Sequence, residues 1–248
     1  MSSALLNILI GLVTSILSAG SALLWRRARQ ARALNRKSAF FGLTSGRPCL
    51  IVLNSHWQLP GATSHNDVHT LLEISALAHE AGCPISVVSA DGLREHKQDS
   101  VEFCIGGPES NPRTAAHLSA YLPGIRYRPV SAKSDSGAFI IDHKKFLLKR
   151  GQQEHAVVAK FTSAQTRYPV LLIYGQRSID NRAAINFLKE NYRLLSKTVD
   201  SIDQFCLVVR VTSSDAYGHQ VAELAADVTL AAFAAPNHTS RGFAPRQR

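Results

Sequence analysis

The sequence contains no CxxC pair, no HExxH run, no GxGxxG and no GxxxxGK[ST]. These absences exclude the common redox and zinc motifs, the zincin hydrolases, the dinucleotide fingerprint and the P-loop. A nucleophile elbow is absent too, and no Ser-His-Asp order suggests a triad. His56 and His65 lack metal-ligand spacing, so no metal site is expected. The four cysteines, Cys49, Cys83, Cys104 and Cys206, are scattered, three of them within apolar runs. They are expected as buried free thiols in a reducing compartment.

Charge is also sparse, at 19% of residues against 45% apolar, a balance that excludes wholesale disorder. The net charge of +10 would suggest a nucleic-acid partner. Its distribution removes that support. Six of the ten charges lie in residues 1–37, which hold no acid, and three in residues 241–248, so one remains for residues 38–240. No nucleic-acid binding is therefore expected.

Charge is missing altogether from residues 4–25, ALLNILIGLVTSILSAGSALLW. Twenty-two uncharged residues suffice to cross a bilayer, and Trp25 closes the run where an interfacial aromatic belongs. Arg26, Arg27, Arg29, Arg32, Arg36 and Lys37 follow at once. This pattern predicts one N-terminal transmembrane helix at 4–25 and a basic juxtamembrane segment and linker at 26–47. By the positive-inside rule it places the N-terminus outside, the following domain in the cytoplasm and the chain in the cell membrane as a single-pass protein. Residues 4–37 would contact lipid. Gly11, Ser15 and Ala19, four apart on one face, would permit self-association of the span.

From Cys49 onward, apolar runs alternate with helical patterns. Strands are expected at 49–54, 84–90, 101–105, 125–130, 138–148, 155–162, 168–174 and 205–212. Helices are expected at 67–81, 111–122 and 179–198, with 221–233 ambiguous. The fold class is α/β: a mainly parallel Rossmann-like sheet with helices on both faces, spanning residues 48–235. The helix-free stretch 125–165 reads as an antiparallel addition at the sheet edge. Residues 236–248 read as a disordered basic tail.

Two strand-to-helix junctions resemble each other, FCIGGPESNPRTAAHLSAYL at 103–122 and LLIYGQRSIDNRAAINFLKENY at 171–192. Ligands of open α/β sheets collect at the carboxyl ends of strands, where helix N-termini offer unpaired N–H groups to anions. The ligand-binding candidates are therefore Gly106, Gly107, Ser110, Asn111 and Arg113 in the first loop. In the second they are Gly175, Gln176, Ser178, Asn181 and Arg182. A plain Gly-Pro turn with Ser110 or Asn111 as helix cap and Pro112 at the first helical position accounts for the first loop equally well. Asp67, Glu73 and Asp91 are the carboxylates that could serve catalysis.

The stretches IGGPESNPRT, EHAVVAK and YPVLLIYGQ together resemble a group of uncharacterised prokaryotic, largely actinobacterial-type, membrane-anchored Rossmann-like proteins with a GGP-x-x-N loop. Gly106, Gly107, Pro108, Asn111, Glu154 and Gly175 carry the likeness, which spans roughly residues 48–233. His155 stands where an aromatic is usual. The resemblance implies the fold and no reaction.

Three functions fit the sequence: a membrane-tethered cytosolic sensor or effector that binds a nucleotide-like or other anionic ligand, an enzyme acting on the glycosidic bond of a nucleotide or sugar-nucleotide, and a non-catalytic membrane scaffold. No cofactor is identified beyond a nucleotide ligand.

Overall fold

The computed structural model describes residues 2–55, 59, 61–90, 92, 99–129, 136–162 and 168–235. The first element is one continuous helix, α1 (Ser2–Phe41). Then come β1 (Cys49–Leu53), α2 (His65–Glu80), β2 (Ile85–Ser89), β3 (Val101–Ile105), α3 (Pro112–Tyr121) and the short β4 (Ile125–Tyr127), β5 (Phe139–Ile141) and β6 (Lys144–Phe146). The chain continues through β7 (Gln153–Thr162), β8 (Pro169–Gly175), α4 (Ser178–Thr198), β9 (Phe205–Thr212), α5 (Ser214–Tyr217), β10 (Ala222–Asp227) and α6 (Thr229–Phe233).

Seven strands form the main sheet in the order β10-β9-β7-β8-β3-β1-β2. β2, β1, β3, β8 and β9 run one way, and β7 and β10 run against them. The sheet is thus mostly parallel. The stretch expected as an antiparallel edge divides in two. β4, β5 and β6 make a separate three-stranded sheet, whereas β7 sits between β8 and β9. Its composition explains the position: Ala156, Val157, Val158 and Ala159 are all fully buried, as a strand covered on both faces requires. The expected strand at 138–148 is a hairpin that turns at Asp142, whose φ is 56°. The ambiguous 221–233 resolves into β10 and α6.

Alternate residues of each strand feed clusters on opposite faces of the sheet, and Leu50, Val52, Ala90 and Cys104 form a small third one. On one face Ile51, Phe103, Val158, Leu171 and Leu207 pack under α2 and α4, through residues such as Ile74, Leu77, Ile185 and Leu188. On the other, Val157, Leu172, Tyr174 and Val208 meet Leu122, Phe139, Ile141 and Ala232. All four cysteines are buried and free.

The N-terminal region differs most from expectation. Among the described residues no helix is long and apolar enough to cross a membrane. The transmembrane anchor, the outside-to-inside topology and the single-pass cell-membrane placement are therefore overturned. The apolar run is broken in sequence by Asn7, Thr14, Ser15, Ser18 and Ser21, and the same helix continues through six cations. Self-association through Gly11, Ser15 and Ala19 loses its premise with the span. Trp25, expected at a bilayer interface, is exposed on the helix with the Arg29 guanidinium 5.5 Å from its ring centre.

Nor is the end of α1 a linker. Phe40 and Phe41 are fully buried; Phe40 stacks on Phe205 at 5.3 Å and meets Phe41 edge-on at 5.2 Å. The packed domain thus begins before residue 48. Lys160, on β7, is 1% exposed and donates from Nζ to the carbonyls of Ala39 (2.8 Å) and Phe40 (3.1 Å). It caps the carbonyls that a helix C-terminus leaves unpaired and sits at the negative end of the dipole. Burial lowers its pKa to about 8, against a small opposing effect from Asp203. The tail at 236–248 lies outside the described residues.

Candidate functional site

The chain leaves β1 through α2 toward β2, and leaves β3 through α3 toward β8, so β1 and β3 are neighbours whose connections diverge. Such a switch point opens a crevice at the carboxyl ends of the strands. Here it is a cleft of about 740 Å³. Asn54 and Ser55 after β1, Gly106, Gly107, Glu109 and Ser110 after β3, and Tyr174, Gly175, Arg177, Ser178 and Asn181 at the end of β8 all line it. Ser64 and Asp67 of the α2 junction, Tyr127 and Arg150 complete the wall.

The two glycine loops and Asp67 therefore meet in one cleft. Asp67 is fully buried, and both its oxygens accept amide protons, Oδ2 from Asn54 at 3.0 Å and Oδ1 from Asn181 at 2.8 Å. Asn181 in turn accepts from the Gly175 N–H at 2.6 Å, and Asn54 accepts from Thr63 at 3.3 Å. One polar chain thus ties the ends of β1 and β8 to the starts of α2 and α4. Burial pushes the Asp67 carboxyl above the ordinary carboxylate range, and the two amide donors pull it partly back.

Gly106 has φ of 94°, and a Cβ there would lie 2.7 Å from Asn54 Cβ. A Cβ on Gly107 would run into the Tyr174 ring. Both positions need glycine because β1 and β8 side chains close on the loop. Tyr174 forms an aromatic floor with Tyr127, their ring centres 5.2 Å apart. Burial pushes the Tyr127 phenol up to about 12.

The three helix starts around the cleft are not equivalent. At α3, the Asn111 side chain accepts from the N–H groups of Arg113 (3.0 Å) and Thr114 (3.2 Å), and Pro112 has none to give. Asn111 is itself buried and donates to the Ile105 carbonyl at 2.9 Å. The helix start expected at the GGP loop to receive a ligand is therefore closed by its own cap. The other two keep some first-turn N–H groups unpaired. Ser64 makes no side-chain cap, and among the described residues the N–H groups of His65, Asn66 and Asp67 have no partner. At α4 the Asp180 side chain accepts the Arg177 N–H at 2.8 Å in a capping box, and among the described residues the N–H groups of Ser178 and Ile179 have no partner. Each such start carries partial positive charge beside the cleft.

Other expected ligands point elsewhere. Arg113 forms a two-pronged ion pair with Glu102 (Nε to Oε1 2.8 Å, Nη2 to Oε2 2.7 Å). Gln176 is spent on the carbonyls of Gly137 (2.7 Å) and Phe146 (2.8 Å) and on the His155 N–H (2.8 Å), which joins the small sheet to the large one. Arg182 lies outside the cleft wall, on the side of α4 that faces His69 and His219. Glu73 pairs with Lys189 between α2 and α4. His56, Trp57 and Asp91 lie outside the described residues.

Arg177, Arg150 and Asn54 were missed from the sequence. Asn54 occupies the position after β1 that Gly106 holds after β3, and that equivalence was the available signal. Arg177 donates to the buried Glu154 at 2.6 Å, which also accepts from Ser214 (2.6 Å) and the Gly151 N–H (3.0 Å). Burial would raise Glu154, but these donors hold it below its usual range. The neighbouring Asp180 carboxyl is buried, and desolvation and the Glu154 charge push it well above the ordinary carboxylate range. This acid pair sits behind the cleft and holds Arg177 at its rim.

Glu102, Cys104 and His117 also gather, their ligand atoms within 4.8 Å of one another. The Glu102 oxygens are already taken by Arg113, His117 (2.8 Å) and the Cys104 thiol (3.0 Å). Burial alone would raise Glu102, but Arg113 and His117 draw it down to about 2, while burial and Glu102 keep the Cys104 thiol protonated. Arg113 already supplies the cation here, so the cluster is a buried ion-pair network.

No family model, curated protein or solved structure matches the chain.

Proposed function

We propose that the cleft binds a nucleotide-like anionic ligand and that the protein acts as a sensor or effector of it. The observation that carries this reading is the convergence of two helix starts that keep first-turn N–H groups unpaired among the described residues, at α2 and α4, with Arg150 and Arg177 on one cleft. Unpaired N–H groups at the positive end of a helix suit phosphate, and a guanidinium adds a two-pronged donor. The half-buried Tyr127, packed edge-on against the buried Tyr174, offers apolar surface for a base, and the Ser and Asn side chains offer partners for ribose hydroxyls. A thermal-shift panel of adenosine and guanosine mono-, di- and triphosphates, with NAD, tests it. At least one is expected to raise the melting temperature in the wild type and to lose most of that effect in Arg177→Gln. A panel that shifts nothing removes the reading.

Asp67 favours a second reading, an enzyme acting on a nucleotide glycosidic bond. A buried carboxyl raised by desolvation in a cleft wall suits general acid–base work. Release of free base that persists unchanged in Asp67→Asn would count against it.

A further inference from the structure

His65 and His69 stand one turn apart at the start of α2, and their Nε2 atoms are 3.1 Å apart. The rings meet edge to face, their centres separated by 4.4 Å. Residues four apart on a helix share a face, so this pairing follows from the spacing alone. The pair matches no HExxH run, because Asn66 follows His65.

Zinc binds imidazole nitrogen at about 2.05 Å. Two nitrogens 3.1 Å apart at that distance from one ion subtend about 98° at it. This approaches the tetrahedral angle, and a separation of about 3.3 Å would meet it fully. The nitrogen separation therefore needs to open by only a few tenths of an ångström, and the rings, now edge to face, turn so that both lone pairs meet the ion. In the metal-free protein the same distance suits an N–H···N hydrogen bond, so one ring nitrogen is already a bare acceptor. A metal would replace the shared proton.

We propose that His65 and His69 chelate a zinc-class divalent cation on the surface of α2. His65 is exposed and His69 half-buried, so the remaining coordination positions open to solvent. Borderline cations prefer imidazole, whereas magnesium and calcium prefer oxygen, which sets the class. The charged groups acting on His69 are Arg182 of α4, His65 and Glu73. The ion would tie the residue after cleft-lining Ser64 to the next turn of the helix, fixing the first turn of α2.

The test is calorimetric titration of the full chain with zinc chloride, alongside His65→Ala, His69→Ala and the control His79→Ala. His79 is an exposed histidine in the last turn of the same helix. The expected result is one zinc per chain in the wild type and in His79→Ala. Affinity should fall more than tenfold in each of the other two, since loss of an outer-shell partner alone already costs about 10- to 100-fold. Circular dichroism melts without metal confirm that each variant is folded. Zinc binding that survives unchanged in both His65→Ala and His69→Ala overturns the proposal, and so does equal loss in His79→Ala.

Discussion

Replacing Lys160 by methionine removes an ammonium from a buried site while keeping a chain of similar length. The wild-type group is 1% exposed, and its pKa is lowered by burial from 10.5 to about 8. That difference is worth about 3 kcal/mol, since each pH unit corresponds to about 1.4 kcal/mol. The sign follows from proton counting. Between pH 8 and 10.5 the unfolded chain holds a proton that the folded chain has released, so wild-type stability rises with pH across this window. The contribution is complete above 10.5 and absent below 8. Cys49 and Tyr127 act oppositely, because burial raises both to about 12 and the unfolded chain loses those protons first. Comparing wild type with Lys160→Met cancels these shared effects. Urea melts of both proteins at pH 7, 8, 9 and 10 should show their stability difference moving in favour of wild type by about 2–3 kcal/mol. A difference that stays constant with pH would mean that the ammonium is solvated, and that the end of α1 is not docked on β7.

The same docking predicts that Phe40→Ala costs about 3–5 kcal/mol in a denaturant melt, whereas a linker residue would cost almost nothing. Asn111→Ala should cost about 1–2 kcal/mol through the lost cap and leave nucleotide-induced thermal shifts unchanged, since Asn111 serves α3 and not the cleft. The zinc titration of His65 and His69 stands independently of both.

The alternation of β1, α2, β2, β3 and α3 was legible because each strand is a short apolar run and each helix carries its own stop, such as Gly82 or Pro123-Gly124. The place of β7 was not. A strand buried on both faces is uniformly apolar whichever way it runs, so EHAVVAKFT carries no sign of its direction or neighbours. The N-terminal reading failed because hydropathy weighs residues 4–25 in isolation, whereas Phe40, Phe41 and Lys160 join α1 to the domain through contacts about 120 positions apart in sequence. In the cleft, Gly106, Gly107, Gly175, Ser178 and Asn181 were accessible from the strand-end pattern. Arg113 and Gln176 were misdirected because their partners, Glu102 and the β5–β6 hairpin, are brought near only by the tertiary fold.

In the proposed site, ligand phosphate is received by α2 and α4 and not by α3. Backbone amide NMR of the protein titrated with adenosine diphosphate measures this directly. The account predicts the largest shifts at His65, Asn66, Ser178 and Ile179, with Arg113 and Thr114 unmoved behind the Asn111 cap. Shifts concentrated at Arg113 and Thr114, or none at the α2 and α4 starts at saturating nucleotide, would contradict it.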